Sequence, residues 1–303
     1  MKAVVCRSPG ELALEDRATP GAPPPGWARV AVSHVGICGT DYHIFEGKHP
    51  FLAYPRVMGH EVSGTVVERG EGVDLAGGQP VIINPYLSCG KCIACRHGKP
   101  NCCVKIEVLG VHRDGAMCDE ILVPAQNLYP TNGLSLADAA AVEFLAIGAH
   151  AVRRSFGTPG ARTLVIGAGP IGLGTAIFAR IAGLDVSLLD MSSERLGFAE
   201  KELGFAPLDT SKASAAELVR QPMPWRCRAG QSDITFSDPE FHKREMTLVG
   251  SRNALKADFE HVAASIRDGA VPLSKLVTHR TTLAGTPRDL AKWTHEKSGL
   301  IKA

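Results

Sequence analysis

The segment TLVIGAGPIGLGTAIFARIAGLDVSLLD, residues 163–190, decides how the second half of the chain folds. Thr163 to Ile166 is a short β-prone run, Gly167 to Gly172 is a glycine-rich turn, Ile171 to Ala182 has the length and apolarity of a helix, and Asp185 to Asp190 is a second strand. This is a βαβ unit of a doubly wound α/β fold. Gly167, Gly169 and Gly172 let a pyrophosphate approach the backbone amides at the helix N-terminus, where the helix dipole favours negative charge. Asp190 closes the second strand 18 residues after Gly172 and can bind the hydroxyls of an adenosine ribose. Its charge repels a 2′-phosphate, which predicts NAD rather than NADP.

Working outward, a helix from Ser193 to Leu203 ends at Gly204, as a helix with a glycine C′ residue should. Beyond a further helix near Ala213 to Arg220 the pattern degrades. The run QPMPWRCRAGQ, residues 221–231, holds two prolines and no period, and reads as a junction rather than a designed loop. A strand at Glu245 to Gly250, a helix from Ala257 to Asp268 stopping at Gly269, and a mixed segment from Leu276 to Ala303 follow. Toward the N-terminus, residues 1 to about 130 alternate β-rich segments such as Ala28 to Val35 and Glu61 to Val67 with Gly and Pro punctuation. A helix capped by Ser135, with Asp138 three places on, runs to about Arg154. The expected domains are a β-rich one over 1–150, a nucleotide-binding one over 151–272, and a return to the first over 273–303.

The 303 residues are 45% hydrophobic and 21% charged, with a net charge of +2. That composition suits a globular protein and gives no field for nucleic acid. No stretch approaches the roughly 18 consecutive apolar residues that a bilayer requires, and the start is strand-like rather than a signal peptide, so the expected location is the cytoplasm. Nine cysteines in such a chain are metal ligands or buried free thiols rather than disulfides.

Their spacing separates the two. Cys89, Cys92 and Cys95 recur at intervals of three and Cys103 follows eight further on, a set that can close a tetrahedral sulfur cage around zinc. Four thiolates leave no open position, so such a zinc is structural. Cys102 competes for the fourth place, and His97 reads as an exposed loop residue. A second constellation, Cys38-Gly-Thr-Asp-Tyr-His43 followed by Gly59-His60-Glu61, offers a thiolate, an imidazole and a carboxylate to a zinc with one position free. An open zinc is a Lewis acid toward an alcohol oxygen.

Gly59-His-Glu-x-x-Gly64 with Gly70 and Val73, the Cys38-Gly-Thr-Asp stretch and the four-cysteine loop together resemble the zinc-containing medium-chain alcohol dehydrogenases, in that family's order and spacing. The resemblance spans nearly the whole chain. It implies a GroES-like catalytic domain, a Rossmann domain, a catalytic zinc on Cys38, His60 and a carboxylate, and a structural zinc on Cys89, Cys92, Cys95 and Cys103. Glu143 falls where the sorbitol and threonine dehydrogenase branch places a glutamate, so Glu61 and Glu143 are both candidates for the third ligand. Thr40 and His43 fall where the family keeps its proton relay, Arg195 where it contacts the adenosine end, and Ile171 beside the pyrophosphate. A homo-oligomer, dimer or tetramer, is also implied.

The chain departs from the family after Arg220. A complete Rossmann domain there has six parallel strands, and this chain lacks a piece of about 30 residues, one βαβ passage. That piece would carry the fourth and fifth strands. Two functions follow as expectations: an NAD-dependent oxidoreductase acting on a secondary alcohol of a polyol or sugar acid, with His112, Arg113 and Arg252 available to a carboxylate, or a shortened zinc-binding relative without turnover.

Overall fold

The computed structural model describes residues 1–50, 52–209, 225–228, 237–296 and 298–303. The chain falls into two compact units, Met1–Ala146 with Asn253–Ala303, and Ile147–Arg252. Residues 253–272, expected with the nucleotide-binding domain, thus lie in the first unit.

In the first unit, β1 (Lys2–Ser8), β2 (Glu11–Asp16), β3 (Trp27–Gly36), β4 (Arg56–Val57), β5 (Glu61–Arg69), β6 (Pro80–Ile83), β7 (Tyr86–Leu87), β8 (Glu107–Val108), β9 (Glu120–Pro124) and β10 (Leu128–Pro130) build the GroES-like β domain. Five of them form an antiparallel sheet in the order β10-β6-β5-β3-β9. Alternation along β3 explains its place: Ala28 and Val30 are wholly buried while their neighbours are not. The core also takes Ile44, Met58, Val66, Val81 and Ile83, and from the C-terminal segment Leu290 and Trp293.

Three short elements aim the functional side chains. Helix α1 (Gly39–Phe45) starts directly after β3, with Cys38 as its cap residue. Helix α2 (Ile93–Arg96) sits inside the four-cysteine loop. The long helix expected from Ser135 is two: α3 (Leu136–Ala140), whose cap Ser135 accepts the Asp138 amide, and α4 (Val142–Ser155) after a break at Ala141.

The second unit is a parallel sheet of β11 (Arg162–Ile166), β12 (Asp185–Asp190), β13 (Ala206–Asp209) and β14 (Trp225–Arg228), in the order β13-β12-β11-β14. Helix α5 (Pro170–Ile181) links β11 to β12 and α6 (Ser193–Leu203) links β12 to β13. Strand order runs from β11 out to β13 and then reverses to β14, which makes a doubly wound sheet of four strands among the described residues.

Two expectations here are corrected. The proline-containing run near 221–231 holds a strand: Trp225–Arg228 pairs in parallel with β11, from Thr163↔Trp225 to Ile166↔Arg228, and takes the fourth place in the sheet. Two prolines hid it, yet Trp-Arg-Cys-Arg is free of both and alternates in the manner of an edge strand. Conversely, residues 245–250 form no strand; 246–250 are irregular, with Met246 46% and Leu248 64% exposed. A strand needs a neighbour for its backbone, and no described strand pairs with this segment. The helix expected at Ala213 to Arg220 lies outside the described residues. Helix α7 (Asp238–Lys243) leads toward the return, and α8 (Lys256–Arg267), α9 (Leu273–Leu276) and α10 (Thr286–His295) complete the first unit.

Candidate metal centre and nucleotide-binding turn

Cys38, His60 and Glu61 bring one ligand atom each to within 4.8 Å of one another, and the last two are buried. Local sequence accounts for the convergence. Cys38 follows the end of β3, His60 and Glu61 open β5, and the two strands pair so that Gly36 faces Glu61. Asp41, wholly buried, fixes the corner: its carboxylate accepts the Cys38 amide at 2.8 Å and the Gly59 amide at 3.3 Å, and lies 3.9 Å from His60 Nδ1.

Glu143, in the first turn of α4, is 3% exposed and accepts a hydrogen bond from the buried Tyr86 hydroxyl. Burial, with the neighbouring Glu61, raises its carboxyl to about 7 against the pull of His60, the Tyr86 hydrogen bond and Lys302. Burial and Glu143 together push the Tyr86 hydroxyl well above its ordinary range. Lys302 is the neighbour that sequence reasoning missed. It is 4% exposed, donates to Glu61 Oε1 at 2.5 Å and to the Ile37 carbonyl at 2.8 Å, and also contacts Glu61 Oε2. Burial alone would strip its proton, but Glu61, Cys38 and Glu143 hold it above the usual lysine value.

Four acidic or thiol groups, Cys38, Asp41, Glu61 and Glu143, gather here with two basic ones, His60 and Lys302, and burial raises the Asp41 carboxyl as it does that of Glu143. Burial opposes a charged imidazole at His60, yet Cys38 and Asp41 outweigh it and hold that ring well above its usual value. A thiolate, an imidazole and a carboxylate are the mixed donor set that zinc accepts. Thr40 Oγ1 lies 3.7 Å from the Cys38 sulfur, and His43, on the same helix, has a buried Nδ1 without a hydrogen-bond partner.

The second cluster is Cys89, Cys92, Cys95 and Cys103, again within 4.8 Å of one another. Cys92 Sγ is 3.5 Å from Cys95 Sγ and 3.8 Å from Cys103 Sγ, and all are free thiols. Backbone amides reach two of these sulfurs: Cys103 Sγ accepts from the Cys89 and Lys105 amides at 3.3 Å each, and amides of Cys95 and Val104 bring the Cys92 thiol down to about 6. Burial and its sulfur neighbours raise Cys95 to about 11, so a metal must displace that proton. Cys103 is the buried fourth sulfur of the group, while Cys102 is exposed and outside it. His97 is exposed and outside the cluster.

In the second unit the turn after β11 has the form a phosphate requires. Gly167 sits at φ 105°, a Cβ on Gly172 would come within 1.7 Å of the Gly167 carbonyl, and the space beside Gly167 and Gly169 is open. Gly169 caps α5, with Pro170 in its first turn and Ile171 half-buried behind it. Asp190 braces the turn: one carboxylate oxygen accepts the Ala168 amide at 2.7 Å and the other the Ser192 amide at 2.8 Å. Arg195 is exposed on α6, its amide bound by the Ser192 hydroxyl.

Of the residues suggested for a substrate carboxylate, two are engaged within the first unit: Arg113 lies over the Trp27 ring and 3.5 Å from Glu107, and His112 Nδ1 accepts the Val108 amide.

With fold and clusters described, the comparisons with known proteins agree. Residues 24–133 match the alcohol dehydrogenase GroES-like domain. Over 320 aligned positions the chain is 38% identical to L-galactonate-5-dehydrogenase of Escherichia coli K12, covering 94% of each. It is 31% identical to 2-dehydro-3-deoxy-L-galactonate 5-dehydrogenase of Pseudoalteromonas atlantica, covering 87% of this chain and 86% of that one. Its fold superposes on the short chain alcohol dehydrogenase of Escherichia coli CFT073 complexed with NADH, with a TM-score of 0.92 and 27% identity over 100% of this chain and 98% of that one. The chain belongs to the zinc-type medium-chain alcohol dehydrogenase family.

Proposed function

We propose that this protein is a zinc-dependent oxidoreductase that passes a hydride from a secondary alcohol of a sugar acid or polyol to NAD, leaving a ketone. The convergence of Cys38, His60 and Glu61, a thiol, an imidazole and a carboxylate within 4.8 Å of one another, carries the reading. The sugar-acid relatives support the substrate class.

In this reading Cys38 and His60 hold the catalytic zinc with one carboxylate, and Cys89, Cys92, Cys95 and Cys103 hold the structural one. The catalytic zinc, when bound, supplies Lewis acidity toward the alcohol oxygen. Thr40 receives the alcohol proton and His43 carries it toward solvent, a path consistent with the partly exposed His43 ring. The turn Gly167 to Gly172 and the N-terminus of α5 bind the pyrophosphate, Ile171 packs beside it, and Asp190 with Arg195 meets the adenosine end.

One observation favours a second reading, a metal-binding relative without turnover: the parallel sheet has four strands among the described residues. A fluorescence titration with NADH on zinc-quantified protein separates the two, followed by NADH formation at 340 nm with hexonates and polyols. Saturable binding and hexonate-dependent reduction support the dehydrogenase. Two zinc ions per chain with no NADH binding would leave the second reading standing.

A further inference from the structure

We propose that the four-cysteine loop and the corner of Cys38, His60 and Glu61 are coupled through two positioning residues, Tyr86 and Gly110, which stand where the two ends of the loop leave it, so that closing the loop around a metal sets the corner for a second one. This rests on the zinc reading of the preceding section.

The loop, residues 88–106, is closed at its base by two-residue strands: Tyr86 pairs with Val108 and Leu87 with Glu107. So short a ladder is marginal by itself. Within the loop Asn101 and Cys103 alone are buried, so it has no apolar core of its own, and the side chains that gather across it are the four thiols. Metal on those sulfurs therefore supplies the closure, offsetting the entropy of holding the loop ends together.

Both ends of the loop run to the other cluster. On one side the Tyr86 hydroxyl donates to Glu143, whose charge is felt at His60. The Tyr86 amide donates to Asn84 Oδ1 at 3.0 Å and its carbonyl accepts Asn127 Nδ2 at 3.1 Å, a satisfied buried frame that passes a displacement on rather than absorbing it. On the other side the Leu109 amide donates to the Pro85 carbonyl at 3.1 Å, beyond the end of the ladder, and Gly110 follows. A Cβ on Gly110 would lie 2.9 Å from the Gly59 nitrogen, so two backbones touch at the residue before His60. The Gly59 amide in turn donates to Asp41, which also holds the Cys38 amide. An interior packed this closely has little slack, so an open neck shifts Tyr86 and Gly110 and with them the donors of the corner.

The test is the affinity of each site for Co2+ in the full chain, with the other site filled and with it disabled; the absorption of cobalt on one sulfur and on four keeps the two sites apart. Cys103→Ser, which disables the loop, should weaken the mixed site about tenfold, within the usual range for coupled sites. Linkage demands the reverse as well: His60→Ala, which disables the corner, should weaken the four-sulfur site by a similar factor. That second variant decides if Cys103→Ser does not fold. In a Tyr86→Phe background, which keeps the ring and removes the hydroxyl, both effects should lose most of their size while both sites of Tyr86→Phe itself still fill. A site whose affinity is the same with its neighbour filled or disabled overturns the inference, as do undiminished effects in the Tyr86→Phe background. A wild-type chain that takes up one metal defeats the proposed function itself, whereas two metals bound independently defeat this inference alone.

Discussion

Gly36 faces Glu61 across the β3–β5 ladder, and a Cβ at position 36 would lie 2.1 Å from Glu61 Oε2. The strand has a glycine there because the carboxylate occupies the space a side chain would need. Gly36→Ala is expected to push Glu61 off Lys302, costing about 1–3 kcal/mol in stability, the usual range for overpacking. Urea unfolding measures the loss. A variant as stable as wild type would mean that Glu61 moves aside without consequence.

The structural cluster separates neighbouring cysteines. Cys103→Ser should lose one zinc per chain and lower the melting temperature by several degrees, since a structural zinc contributes directly to folding. Cys102→Ser, at the exposed sulfur, should retain both zincs and the wild-type melting temperature. Metal analysis and calorimetry on the pair check this, and equal losses from the two would refute the assignment.

The pH dependence of the metal-free chain carries the mark of Glu143. Its carboxyl is raised to about 7 by burial, so between an ordinary glutamate value and 7 the folded chain binds more protons than the unfolded one. Stability from this group is therefore full at low pH and falls as the pH rises to 7, by at most about 3 kcal/mol. Glu143→Gln should flatten that slope in urea unfolding at pH 5 to 8. A slope of the opposite sign in the difference between the two proteins would show that Glu143 is ionised without the metal.

Asp190 both braces the glycine turn and, in the proposed enzyme, meets the ribose. Asp190→Ala is expected to weaken NADH binding about tenfold or more through lost charge-assisted hydrogen bonds, while discrimination against NADPH falls. Parallel fluorescence titrations with the two nucleotides read both effects. Undiminished NADH binding would remove Asp190 from the cofactor site.

What the sequence made legible was what is local. The βαβ unit, the four-cysteine cluster and the Ser135 cap all lie in short windows whose spacing is their geometry. Cys103 rather than Cys102 was open in the sequence, because adjacent sulfurs differ only in which one the loop turns inward. Lys302 was invisible for the opposite reason: it meets Glu61 across 241 residues, and a lone lysine near the end of a mixed segment has no pattern to distinguish it from a solvated one. The strand at Trp225 was masked by its prolines, and the one expected at 245–250 had the composition of a strand but pairs with none of the described strands.

The length of that last connection gives the cradle a history in time. At a synthesis rate of roughly 5–20 residues per second, Lys302 leaves the ribosome roughly 10–50 s after Glu61, given their separation of 241 residues. Throughout that interval the nascent chain carries Glu61 without the ammonium that later pairs with it, and without Leu290 and Trp293 of the same core. The buried ion pair is therefore among the last contacts of the first unit that can form.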